Sequence, residues 1–168
     1  QTCALPISAF YLQINEFRSS RTVQLQMVDI RPSLSGSARE EESLQLVGRC
    51  LQGQELRPRD AVRLLPSRDQ CVCLWRALQH TVPPDGLEAD YLPLLRRLSG
   101  ALHGAEPFLR TALCLEVFRE RGLLQSLRQG DSIRLHLTGQ GKKVALDRSE
   151  YLLRLHQALD AAKGGGRS

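Results

Sequence analysis

Leu123–Leu137 reads LLQSLRQGDSIRLHL, and here the hydrophobic period changes from that of a helix to that of a strand. Ile133, Leu135 and Leu137 alternate with Arg134 and His136, the period-two pattern of a half-buried strand. Gln129, Gly130 and Asp131 supply the turn, so the stretch predicts a β-hairpin. Upstream of it the spacing is helical. Ser67 is a good N-cap with Asp69 in the first turn, and Cys71, Leu74, Trp75 and Leu78 form one face. TVPPDG then breaks the chain. Asp90 caps a second helix, with Pro93 tolerated in its first turn and Tyr91, Leu94, Leu95, Leu98 and Leu102 on one face. A third helix is expected from Glu106 to Arg121, burying Phe108, Leu109, Ala112, Leu115 and Phe118, with Gly122 as its C′ residue. Downstream, KKVAL reads as a further short extended piece. Asp147 or Ser149 then caps a last helix through Ala162, with Leu152, Leu155 and Leu159 on one face.

A second hairpin is expected near the start, in FYLQINEFRSSRTVQLQMVDIRP, Phe10–Pro32. Phe10, Leu12 and Ile14 alternate with Tyr11, Gln13 and Asn15, and Val23, Leu25 and Met27 with Thr22, Gln24 and Gln26. Arg18, Ser19, Ser20 and Arg21 form its polar turn. A lone two-stranded hairpin is barely stable in water. The expectation is therefore a chain truncated at its N-terminus, with residues 1–7, QTCALPI, as a foreign end. SLSGSAR (33–39) reads as a linker, and Glu40–Glu42 open a helix that Gly53 ends. LRPRDAVRLLP is a connector with a short helix or strand.

The expected fold class is α+β: a β-hairpin remnant (8–32), a linker with a helix (33–66), then a mainly helical, winged-helix-like domain with a β-hairpin wing (67–162), and a flexible tail (163–168).

The net charge is +5, with 8 basic against 7 acidic residues up to Pro66 and 15 against 11 beyond it. That is a weak bias towards anionic partners, short of a dedicated nucleic-acid arm. All but three of the 23 basic residues are arginine, which suits bidentate phosphate contacts and is equally the mark of a GC-rich coding bias. Cysteines at 3, 50, 71, 73 and 114 are odd in number and poorly spaced for a disulfide framework. They read as reduced core or boundary residues of a cytoplasmic protein. No run approaches the roughly 18 apolar residues of a membrane span. His80, His103, His136 and His156 are scattered, and no phosphate loop, zinc-type cysteine pairing or HExxH occurs, so neither catalytic nor metal residues are assigned.

Two surfaces can bind. One is the polar face of the first hairpin, Tyr11, Gln13, Asn15, Gln24 and Gln26, with Arg18 and Arg21 at its turn; such a face can stack a base and hold phosphate. It is equally the ordinary solvent side of a sheet. The other is the wing, with Arg128, Arg134, His136, Lys142 and Lys143, joined by Arg96 and Arg97; a basic wing can lie along a nucleic-acid backbone. The same charges also protect edge strands from pairing with other chains.

The string AFYLQINEFRSSRTVQLQMVDIRP resembles the closing strands of the OB-type domain in the RecJ family, bacterial single-strand-specific 5′→3′ DNA exonucleases. Three further strings resemble the C-terminal domain appended in Firmicutes and relatives. They are LLPSRDQCVCLWRAL, with Pro66 and Arg68; ALCLEVFRERGLL, with Val117, Phe118, Glu120, Gly122 and Leu123; and KKVALDRSEYLLRL, with Lys143, Val144, Leu146 and Ser149. The resemblance spans nearly all of residues 8–160. It implies a C-terminal part of such an exonuclease, acting in DNA repair and recombination. The family's Mn²⁺- or Mg²⁺-dependent DHH core would lie elsewhere, since no Asp-His-His string occurs here. The implied partners are single-stranded DNA and the single-strand-binding protein. A stand-alone winged-helix DNA-binding or protein-interaction module is the alternative.

Overall fold

A computed structural model describes the backbone of residues 7–17, 20–31, 36–139, 141 and 143–164, and the side chains of residues 38–139, 141 and 143–162. The chain forms two compact units, Gln1–Glu42 and Ser43–Ser168. No helix among the described residues is long and apolar enough to cross a membrane.

The first unit holds an antiparallel pair, β1 (Ile7–Phe17) and β2 (Ser20–Arg31). Its register follows the sequence pattern. Phe10, Leu12 and Ile14 stand opposite Met27, Leu25 and Val23, and Tyr11, Gln13 and Asn15 opposite Gln26, Gln24 and Thr22. Apolar positions thus meet apolar ones across the ladder. The register shifts between Ala9 and Phe10. Helix α1 (Gly36–Leu51) begins within the stretch expected as a linker, and its later turns belong to the second unit.

The second unit is mostly helical. After α1 come α2 (Pro58–Leu64), α3 (Arg68–Thr81), β3 (Leu87–Asp90), α4 (Tyr91–Ser99), α5 (Pro107–Glu120), β4 (Leu124–Gln129), β5 (Ser132–Leu137), a 3₁₀ turn (Leu146–Arg148) and α6 (Glu150–Gly164). The three strands form an antiparallel sheet in the order β3-β5-β4. Two expectations are corrected. The stretch after TVPPDG does not pass directly into a helix, because Leu87–Asp90 pairs with Ser132–Leu135 first. The described part of KKVAL, residues 143–146, joins no strand; residues 143–145 are irregular and lead into the 3₁₀ turn.

Local chemistry sets the helix boundaries. Ser67 caps α3 through a capping box: its hydroxyl accepts from the Gln70 N–H at 3.2 Å, and the Gln70 side chain accepts from the Ser67 N–H at 3.0 Å. Helix α5 closes in a Schellman arrangement. The Leu123 N–H donates to the Phe118 carbonyl (2.9 Å) and the Gly122 N–H to the Arg119 carbonyl (3.1 Å). This requires Gly122 at φ 68, which a side chain would strain. Just beyond β5, Gly139 donates to the Leu123 carbonyl at 2.9 Å. A Cβ there would lie 2.7 Å from the Leu123 Cα, so the close passage needs glycine.

Helix α5 is the centre of the core. Leu109, Thr111, Ala112, Leu113, Cys114, Leu115, Val117 and Phe118 are all buried, more than the single face the spacing suggested. A helix with buried side chains all round it has to be enclosed, and α2, α3, α4 and β4 pack against this one. Arg110 reaches out of it to fasten its neighbours. Its guanidinium donates to the Arg63 carbonyl (3.0 Å) and the Val62 carbonyl (3.2 Å) at the end of α2, and to the Gln70 side chain (3.1 Å) on α3. Gln70 in turn donates to the His103 carbonyl at 2.8 Å.

The end of α5 also starts α6. The Glu120 carboxylate accepts from the Glu150 N–H at 2.8 Å and from the Ser149 hydroxyl. A carboxylate at the first turn of a helix satisfies open N–H groups and complements the dipole. Glu120→Ala should therefore cost about 1–2 kcal/mol in urea unfolding. Adding Ser149→Ala should cost little more, because both residues serve one interaction.

Candidate functional site

Two adjoining hollows, of about 720 and 250 Å³, lie along α3. Cys71, Val72, Val144 and Leu146 line both, so together they make one groove. One wall is α3 and the other is the irregular segment that returns from the sheet to α6. The wide end adds Pro66, Arg68, Asp147, Leu152 and His156. The narrow end adds Trp75, Arg76, Gln79, Phe118 and Leu123. Trp75 meets Phe118 edge-on, with ring centroids 5.6 Å apart.

The groove has an apolar floor and a polar rim. Arg68, Val72 and Arg76 recur at every fourth residue of α3, which puts them on one exposed stripe. Among the described residues neither Arg68 nor Arg76 makes an ion pair or a side-chain hydrogen bond. Val72 is 40% exposed, one of few large apolar side chains left open to solvent. Behind the lining, the sulfur of the fully buried Cys114 is 3.8 Å from that of Cys71. Either thiol can donate in this contact. The shared hydrogen bond lowers the Cys71 thiol from its usual range, and together with burial it raises that of Cys114.

A further hollow of about 530 Å³ lies between the end of α1, the 53–58 loop and α6. Small apolar residues line much of it, with Arg154 and Glu55 as its charges. Burial there raises the Cys50 thiol, partly offset by Arg154.

Arg128 and Arg134, both expected on a basic wing, do not share one face of the sheet. Register opposes Arg128 to Ile133 and Arg134 to Leu127, so Arg128 and Arg134 project from opposite faces of the sheet. The expected three-residue turn would have put both on one face. The actual turn has two residues, Gly130 and Asp131, and a one-residue change of register flips a strand's faces. On the outer face, Arg134 donates to Glu88 of β3 at 2.7 Å, which raises its pKa. Arg128 turns inward over the Tyr91 ring, 4.1 Å from its centroid, and donates to the Gly130 carbonyl at 3.2 Å. Burial raises the Tyr91 phenol, against the pull of Arg128.

His136 is exposed on the outer face beside Gln125. Lys143 is exposed next to Val144 of the groove. Arg96 and Arg97 are exposed on α4. Lys142 and Arg18 lie outside the described residues. Tyr11, Gln13, Arg21 and Gln24 lie in described strands, but their side chains are outside the described set. The groove itself was not foreseen as a site; the signal for it was the four-residue spacing of Arg68, Val72 and Arg76.

Among the described residues, no group of three or more His, Cys, Asp or Glu side chains could hold a metal ion. No family model matches this chain, and neither a curated protein nor a solved structure matches it.

The groove rim should be free of folding duty. Arg68→Glu, Val72→Glu and Arg76→Glu should each leave the urea unfolding free energy within about 0.5 kcal/mol, as exposed substitutions do. Trp75→Ala, which removes a ring packed on Phe118, should cost about 2–3 kcal/mol.

Proposed function

We propose that this chain is the C-terminal part of a RecJ-type single-strand-specific 5′→3′ exonuclease and contributes binding, not catalysis. The observation that carries the reading is a convergence. The three strings that resemble the family's C-terminal domain are far apart in sequence, yet they meet around one groove. Pro66 and Arg68 stand at its wide end, Phe118 and Leu123 at its narrow end, and Val144 and Leu146 in both. Glu120 of the second string holds Ser149 of the third. A shared surface is a reason for three separate strings to occur together.

In this reading β1 and β2 are the last strands of an OB-type domain, and the second unit is a winged-helix-like domain. The order helix, strand, helix, helix, strand, strand from α3 to β5 supports the latter, as does a sheet that places β5 between β3 and β4. The family's Mn²⁺ or Mg²⁺ does not fit the residues present. There is no Asp-His-His string and, among the described residues, no cluster of metal ligands. No hydrolytic step is assigned to this chain. Its partners are single-stranded DNA, as part of the whole enzyme, and the single-strand-binding protein. The setting is the cytoplasm.

One observation favours partner binding over the reading of duplex DNA. In a DNA-reading winged helix, the helix before the wing enters the major groove. Here that position belongs to α5, where Arg119 alone among the residues is exposed, and Arg119 is paired with Glu116 at 2.6 Å. Such a helix has few side chains to offer to base edges. A protein-interaction module is therefore the second reading.

Incubation of the chain with Mn²⁺ and 5′-labelled single-stranded DNA should leave the DNA intact, and rapid digestion would contradict the assignment. In parallel binding assays, single-stranded DNA or the single-strand-binding protein should bind better than duplex DNA. The double variant Arg68→Glu/Arg76→Glu should weaken that binding by about tenfold or more. Preferential duplex binding with a steep salt dependence would favour a stand-alone DNA-binding module instead.

A further inference from the structure

Two thiols on neighbouring helices meet beside the groove, where Cys71 lines it and Cys114 lies behind. Cys71 projects from α3 and Cys114 from α5, 43 residues apart in sequence, and their sulfurs are 3.8 Å apart. Cys114 is fully buried. Cys71 is only 4% exposed, but it lines both hollows, and Cys114 lines neither. Cys73, two positions along, is half-buried and turns to another side of α3.

We propose that Cys71 and Cys114 are a modification site, a dithiol that hydroperoxides oxidise to a disulfide between α3 and α5. The chemistry balances within the pair. The Cys71 thiolate attacks one peroxide oxygen, the O–O bond breaks, and Cys71 becomes a sulfenic acid as the first water (or alcohol) leaves. The Cys114 sulfur then attacks the Cys71 sulfur, the S–O bond breaks, and the second water leaves with the Cys114 proton. The two thiols lose two electrons and two protons, and the peroxide is reduced by two electrons. The roles follow from position: Cys71, which lines the groove, meets the oxidant, and Cys114, which is fully buried, resolves it. The sulfurs must close from 3.8 Å to about 2.05 Å for the bond to form. The bond would restrain the unfolded chain across a long loop, and it would draw Cys71 down from the groove floor. This inference goes beyond the proposed function and stands whether or not the exonuclease reading does.

The test uses the full chain treated with hydrogen peroxide and then alkylated under denaturing conditions. The expected result is a mass lower by about 2 Da before alkylation. Peptide mapping should then find a link between the Cys71 and Cys114 peptides, reversed by dithiothreitol. The oxidised chain should melt several degrees higher than the reduced one. Cys73→Ser should keep the link. Cys114→Ala should abolish it and leave Cys71 as a sulfenic acid that dimedone traps. If that variant does not fold, mapping of the Cys73→Ser chain decides alone. The proposal is overturned if Cys71 gains only oxygen, if it links to Cys73 or to a second chain, or if it remains unmodified while Cys73 reacts.

Discussion

The enclosure of α5 sets the terms for the second unit. Leu109, Leu113, Val117 and Phe118 are fully buried on a helix of 14 residues, and Thr111, Ala112 and Cys114 fill the spaces between them. Each fully buried apolar side chain contributes roughly 1.5–3 kcal/mol relative to exposure. No arrangement that leaves a side of this helix in water competes with one that covers it. Helices α2, α3 and α4 and strand β4 are those covers. Function is thereby moved outward. A helix this enclosed shows little of itself to solvent, and the surfaces left open are those of its covers: the α3 stripe, the groove beside it and the outer face of the sheet.

The ends of α5 carry the structure to its neighbours. At its start, Arg110 ties down the closing carbonyls of α2 and the capping glutamine of α3. At its end, Gly122 turns the chain into β4, and Glu120 satisfies the first turn of α6. A carboxylate in the last turn is unfavourable for the dipole of its own helix and favourable for the helix that begins beside it. The position makes sense only in the tertiary structure. The segment arriving at that cap forms the far wall of the groove, so the groove and the cap depend on the same residues, Leu146 to Ser149.

Much of this was legible in the sequence. Ser67, Gly122, the helical spacing from Cys71 to Phe118 and the alternation of Ile133, Leu135 and Leu137 are local signals, and each led to the right element. What escaped depends on residues distant in the chain. Strand β3 is four residues, LEAD, without a β-branched residue, and exists because β5 offers it a partner. The relation between Arg128 and Arg134 turned on one residue in the hairpin turn, and composition does not report parity. Arg68, Val72 and Arg76 were visible as a spacing, but only the return of residues 143–147 across α3 makes that stripe the edge of a groove. Cys71 and Cys114 likewise read as separate small core residues until α3 and α5 bring them together.

Native-state hydrogen exchange of the α5 amides tests the central claim most directly. If α5 is enclosed as described, the amides of Leu109–Phe118 open only when the whole second unit unfolds. Their opening free energy then equals the unfolding free energy from urea, and adding duplex DNA does not single them out for protection. Opening of α5 at a clearly lower free energy, or protection gained there on binding duplex DNA, would contradict the account and return α5 to the role of a recognition helix.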